Sequence, residues 1–266
     1  MSLTMVCLAV YLFKTAPPPL DDGLKKRGIQ LPVSVLFNII AEENNVVRSL
    51  YTKEIVTQGK KSGLKFSEEW QDNEVEAGPL PALFLRAVSQ ALEKKSLPVS
   101  LFLGSDFPIS SANAFDGQQT KAFQKIKSDP SKPAFFYDEG IKRHVAMFPD
   151  FAIAAVCVDC HNKHPDSPKS DWELGDIMGA TTWLYPDETL SLEEIMQAVG
   201  VLRSCFKEVY SDYLQKVKSF ALPPEIGEKW PADGYYLPSE KVFFTRYDEQ
   251  ASQHTMRILL AEIQSK

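Results

Sequence analysis

Cysteine is scarce, at four in 266 residues, and four are too few for the disulfide scaffold that holds small secreted domains together. Dense Lys/Arg runs are absent as well. Lys25-Lys26-Arg27 and Lys60-Lys61 are short solvated clusters, and a formal net charge of −6 argues against a polyanion, so no nucleic-acid partner is expected. There is no glycine-rich phosphate loop, no nucleophile elbow and no paired acids with a base at useful spacing, and the chain is therefore not expected to be an enzyme. No internal repeat and no low-complexity tract appears. No apolar run reaches the roughly 20 residues needed to span a bilayer: Met1 to Phe13 is uncharged and apolar but too short, and it lacks the basic start and cleavage site of a signal peptide.

What remains is an ordinary globular composition, 44% hydrophobic and 24% charged. Residues 1–14 read as a membrane anchor or signal remnant, the alternative being a buried N-terminal element. Residues 15–32, with Ala16-Pro17-Pro18-Pro19, read as a stiff linker that holds a domain off a membrane. Pro32 to Val56 has mostly helical apolar spacing, interrupted by Glu42 and Glu43, and Pro81 to Lys94 is again helical. Strands are expected at Val99 to Leu103, Ala134 to Tyr137, Lys142 to Met147 and Asp150 to Val156, with a turn at Phe148-Pro149-Asp150 and a short helix at Gln118 to Lys127. Asp171 to Thr182 leads into a strand ending at Leu184. Ser191 and Glu194 have capping-box spacing ahead of an apolar stripe from Leu192 to Val217. Leu222 to Tyr247 reads as a connection, and a helix through Met256, Leu259, Leu260 and Ile263 closes the chain. The class is α+β.

Two of the four cysteines sit in Cys157-Val158-Asp159-Cys160-His161, the CxxCH spacing at which haem is attached, each thiol adding to one vinyl group while the imidazole takes an axial position on the iron. The strand pattern places this motif at a strand exit. A zinc site would use Cys157, Cys160 and His164, with His161 or a distant group as fourth ligand, but there is no second CxxC. A thioredoxin-like pair is disfavoured because the residues after Cys160 do not read as a helix. Cys7 and Cys205 read as packed or lipid-facing small hydrophobes. Trp172, Trp183, Phe148, Phe151 and Met147 are close enough in sequence to wall a haem, and Arg143, Lys163 and Lys169 to face its propionates. The second axial position is open: His144 and Met178 are distal candidates, as are Met147 and the tethered His164. A lone histidine on a strand is more often a satisfied surface residue.

The segment CVDCHNKHPDSPKSDWELGDIMGA, Cys157 to Ala180, resembles the signature of single-haem c-type sensory domains known as domain of unknown function 3365. In these the haem motif is followed by histidine or threonine, Pro-Asp-Ser-Pro, Asp-Trp and a Gly-Asp turn. Asn45 to Thr52 is similar to that family's first helix, and the resemblance covers residues 33–185. It implies a PAS-like fold, an antiparallel sheet flanked by helices, outside the cytoplasmic membrane, with one covalently attached haem c held by Cys157, Cys160 and His161. Trp172, a candidate wall of the haem by its place in the sequence, is counted with them as a cofactor-binding residue. Relatives often precede a transmembrane helix and a kinase or cyclase, whereas no such output motif follows residue 185 here. Residues 186–266 are then a helical extension that packs on the haem domain, with a homodimer interface as the alternative. The expected function is a periplasmic, membrane-anchored sensor of redox state or a small gas. A monohaem electron-transfer protein is the first alternative, and a non-haem ligand-binding or interaction module the second.

Overall fold

A computed structural model of the protein describes residues 30–264. The first strand, β1 (Gln30–Pro32), lies in the stretch read as linker and pairs antiparallel with β8 (Thr189–Ser191). The anchor, Cys7 and most of that linker fall outside the described residues.

Helix α1 (Val33–Leu50) follows β1 directly, continues as a π-helical stretch over Tyr51–Thr57 and closes with an α-turn at Gln58–Lys61. Two short parallel strands, β2 (Phe66–Ser67) and β3 (Gly78–Pro79), pin the glycine-bearing loop that comes next. Helix α2 (Pro81–Glu93) starts on a proline, whose missing N–H is no loss at a first helical position.

The main sheet is antiparallel and four-stranded, in the order β4 (Ser100–Gly104), β7 (Ile177–Tyr185), β6 (Arg143–Phe151), β5 (Ala134–Asp138). Helix α3 (Gly117–Ser128) covers one face, where Phe123 and Ile126 meet Val145, Met147 and Ala180. The other face, with Trp183 and Ala146, joins the principal core under α1, α2, α5 (Leu192–Val217) and α6 (Glu240–Gln264). Strands β9 (Glu225–Gly227) and β10 (Tyr236–Pro238) pair in parallel between the last two helices. The α+β expectation, a sheet flanked by helices with a helical C-terminal part, agrees with this arrangement. The stripe of α5 is buried from Ile195 to Val217 against the rest of the chain, and the capping box is formed, Ser191 accepting from the Glu194 N–H while Glu194 accepts from that of Ser191.

Three local expectations are corrected. The two strands read on either side of Phe148-Pro149-Asp150 are one strand, β6, which runs through Pro149. Strand β5 has already ended opposite Met147, so the edge beside Pro149 is open and a residue without an N–H is tolerated there. Residues 155–163 are helical, not strand: α4 (Ala155–Lys163) carries the whole CxxCH motif. Helix α6 starts at Glu240, well inside the stretch read as a connection. Its inward residues there, Phe243, Phe244 and Tyr247, are aromatic and mimic strand composition.

Candidate functional site

Helix α4 begins at Ala155 after an extended Ala154 and ends at His164, which is itself extended because Pro165 follows it. Within these two and a half turns Cys157 and Cys160 are three residues apart and therefore neighbours on one helical face. Both are free thiols and both are half-buried. Together with His161 they border a cavity of about 220 Å³.

The other walls come from six parts of the chain, one of them Glu68 in the loop after β2. The start of α2 contributes Leu80, Pro81, Leu83, Leu85 and Arg86, and the end of β4 with its following loop contributes Leu103, Gly104, Ser105 and Ile109. The far end of β6 contributes Asp150 and Phe151, β7 contributes Met178 to Ala180, and α1 contributes Arg48. Asp150 and Phe151 are consecutive and would lie on opposite faces of a flat strand. The register of β6 shifts between them, a bulge that lets both face the cavity.

Burial pushes the thiols of Cys157 and Cys160 above their ordinary value, and at Cys160 the Glu68 charge adds to it. Burial pulls His161 below its ordinary value against the opposing charge of Asp150. Its imidazole is thus neutral at pH 7, with a lone pair to give. The Nδ1 atom of His161 is buried and has no hydrogen-bond partner among the described residues. Trp172, itself buried, meets the His161 ring edge to face with centroids 6.3 Å apart. A reciprocal pair of bonds holds it there: Asn162 Nδ2 donates to the Trp172 carbonyl at 2.9 Å, and the Trp172 N–H donates to Asn162 Oδ1 at 2.8 Å. The segment after the motif is thereby folded back on α4.

Cys157, Cys160, His161 and Met178 are brought together at one cavity, with Trp172 behind the imidazole. Met178 is buried in a small cluster with Ala152 and Trp172 that also takes in Cys157 and Val158. His144 lies apart, six residues before Asp150 on β6 and so roughly 20 Å along the strand. Its ring instead packs on Tyr137 at 4.9 Å. His164 is engaged elsewhere, its Nε2 3.1 Å from Glu68 Oε1 and its Nδ1 accepting from the Asp166 N–H. Among the described residues no three His, Cys, Asp or Glu side chains converge as a metal site, which removes the geometric support for zinc. Of the aromatic and methionine side chains expected to wall a haem, Phe151 borders the cavity, while Met147 lies in the cluster under α3 and Trp183 in the principal core.

The matching family completes the picture: the Tll0287-like model covers residues 33–186, more than half of the chain. The chain belongs to the Tll0287-like family. This is a family of haem-binding, sensor-like domains, and its match ends within one residue of the interval over which the motif resemblance runs. No curated protein and no solved structure matches the chain.

Within the Tll0287-like domain, the cations at the cavity are Arg48 and Arg86, not Arg143, Lys163 or Lys169. Arg48 is ion-paired with Asp150 and its Nη1 is 3.4 Å from the Phe151 carbonyl oxygen, while Arg86 donates to Asn113 Oδ1 at 3.2 Å. Lys169 lies over the Trp172 ring, 4.5 Å from its centroid, and Lys163 pairs with Asp159 on the exposed side of α4. A charge inside the apolar run Val46-Val47-Arg48-Ser49-Leu50 was the one sequence signal for Arg48. Nothing local to Arg86 or Asn162 marks them.

The residues present fit a covalently held haem. Two free thiols share a helical face at a cavity mouth, a neutral imidazole follows them, and the opposite wall is apolar. The cavity, about 220 Å³, is below the roughly 300–1000 Å³ of pockets that engulf a small molecule.

Proposed function

We propose that this protein is a c-type haem sensor of a small ligand, facing the periplasm and held at the membrane by its N-terminal segment. The observation that carries this reading is the convergence of Cys157, Cys160 and His161 on one apolar cavity within a Tll0287-like domain. The haem, when bound, supplies an iron that takes a diatomic ligand or an electron. The chain's part would be to tether it through Cys157 and Cys160, to offer the His161 lone pair, and to keep water from the cavity with Leu80, Pro81, Leu83 and Leu85. No catalytic turnover enters this reading.

Sensing is favoured over electron transfer by what surrounds the cavity. Among its described lining residues the only His, Met or Cys besides the motif is Met178, and that side chain is packed with Cys157, Val158 and Trp172. The α2 wall, Leu80, Pro81, Leu83 and Leu85, carries no side chain that would ligate iron.

Absorbance spectra of the natively matured protein, oxidised, reduced and with CO, test this. We expect a covalent haem that stays in the protein fraction under denaturing conditions and a ferrous form that takes CO without displacing a strong protein ligand. A matured chain without covalent haem refutes the reading. Met178→Leu separates the alternative: the swap nearly conserves volume, so it leaves CO binding and spin state unchanged in a sensor. In an electron carrier with Met178 as sixth ligand it converts the iron to high spin and lowers the potential.

A further inference from the structure

Two of the three charged residues on helix α1 point to different parts of the molecule. Arg48 reaches the cavity wall, where it pairs with Asp150. Glu43 lies five residues earlier, about 140° round the helix. Its side chain is fully buried and takes hydrogen bonds from Arg203 Nε at 2.8 Å, Arg203 Nη2 at 2.6 Å, Thr255 Oγ1 at 2.5 Å and the Tyr247 hydroxyl. All three partners stand on α5 and α6, beyond residue 186, where the Tll0287-like match ends. A carboxylate inside the family domain is thus satisfied wholly by the C-terminal extension. An isolated buried charge would cost far more than folding can supply, so the extension and the domain are bound to one arrangement through this residue.

The same helix also grips the second cavity wall. Tyr51 donates to the Pro79 carbonyl at 2.8 Å and stacks on Phe84 of α2 with centroids 4.4 Å apart. At Tyr51 the winding becomes π-helical and remains so to Thr57. A π turn holds one residue more than an α turn, so its displacement along the helix rotates the residues it passes. Such turns gather at functional sites. A change in the cavity that alters the Arg48–Asp150 pair or the α2 wall therefore acts on α1, and Glu43 joins that helix to α5 and α6.

We propose that α1 couples occupation of the cavity to the α5–α6 pair through Glu43. The proposal rests on the haem reading above. Coupling of two sites is reciprocal: whatever CO does to the Glu43 cluster, the cluster must do to CO affinity by the same factor.

The test uses the full, natively matured chain and CO as the probe. Tyr247→Phe removes one donor to Glu43 and retains the ring that packs on Phe206 and Phe244, and Thr255→Val removes another at nearly constant volume. Ser191→Ala serves as control, since it loosens the start of α5 without touching Glu43. We expect each cluster variant to change ferrous CO affinity about five-fold or more, and the control to leave it where it is. In the unmutated chain CO should alter amide exchange along α5 and α6, and the variants should lose that response. Unchanged CO affinity in both cluster variants overturns the coupling even if their thermal midpoints fall, for Glu43 is then only structural. An equal change in the control overturns it too, as general softening. A matured chain without covalent haem fails at the first spectrum and ends the haem reading itself, whereas CO-binding protein with flat variants ends the coupling alone.

Discussion

Replacing Arg48 by methionine keeps most of the stem volume and removes the charge opposite Asp150. The pair is neither buried nor free: the Arg48 side chain is 11% exposed and that of Asp150 29%. Breaking a buried pair by removing one partner costs about 3–5 kcal/mol, and an exposed pair is worth about 0–1 kcal/mol. An intermediate loss of about 2 kcal/mol follows for R48M. Asp150→Asn keeps an oxygen that still accepts from Arg48 and should cost about half as much. The double variant R48M/D150N leaves no lone charge, so its loss should be smaller than the two single losses added together by at least about 1 kcal/mol. Urea unfolding, followed in parallel by tryptophan fluorescence and far-ultraviolet circular dichroism, measures all four proteins, with an unchanged denaturant slope as the check that only stability moved. Potentiometry adds a signed readout. Asp150 acts on His161 and Arg48 on Cys157 through their charges. An uncompensated Asp150 favours the ferric form, so R48M lowers the reduction potential of the matured protein, and D150N raises it. Strict additivity of the unfolding energies, within about 0.5 kcal/mol, or potentials that move in the same direction, refutes the assignment of this pair to the site.

The cavity floor and its helix allow further checks. A Cβ on Gly179 would stand 2.2 Å from the Gly104 carbonyl oxygen, which is backbone and cannot swing away, so Gly179→Ala must part β4 from β7 at a cost of about 1–3 kcal/mol, read by chemical denaturation. Asn162→Ala breaks both bonds to the Trp172 backbone. We expect a loss of about 2 kcal/mol and a red-shifted tryptophan emission as the segment after the motif lifts from α4. In protein made without haem attachment, burial has raised the thiols of Cys157 and Cys160. Their alkylation at pH 7 should therefore be slower than that of a free thiol and should accelerate as pH rises past the ordinary thiol value, while the fully buried Cys205 stays unreacted until the protein unfolds. Alkylation of the two at free-thiol rates at pH 7 would contradict the buried placement.

Where the chain encodes structure in local repetition, the reading from residues holds. The 3.6-residue spacing of Leu36, Phe37, Ile40, Val47 and Leu50 finds α1, and Ser191 with Glu194 marks the start of α5. The failures have a common physical origin. Helix α4 has a single fully buried residue, Val156, so it carries no apolar stripe to be read, and its end is fixed by Pro165 alone. Pro149 reads as a turn because proline punctuates most strands, yet here the neighbouring strand has stopped short of it. The start of α6 is hidden by its own aromatics. At the site, the residues that the motif picks out, Cys157, Cys160 and His161, do border one cavity. The cavity's other walls were not legible: Arg48 is brought to Asp150 across 102 positions, and the α2 wall reaches the motif only through the fold.

Two of the three charged residues of α1 acquire a meaning from this that neither has alone. Glu43 and Arg48 lower the apolar content of a helix that is otherwise almost wholly buried, and each would be destabilising there without a partner. Stability alone would be served as well by apolar residues of similar volume, since well-packed hydrophobic replacements of buried ion pairs are often neutral or better. What polar partners add is directional geometry. Glu43 accepts from Arg203, Tyr247 and Thr255, and Arg48 pairs with Asp150 at the β6 bulge. A helix held by polar partners at both of its faces is restricted to discrete positions instead of sliding through a continuum. That is the property a transmitting element requires if an event the size of one diatomic ligand is to be read at α5 and α6.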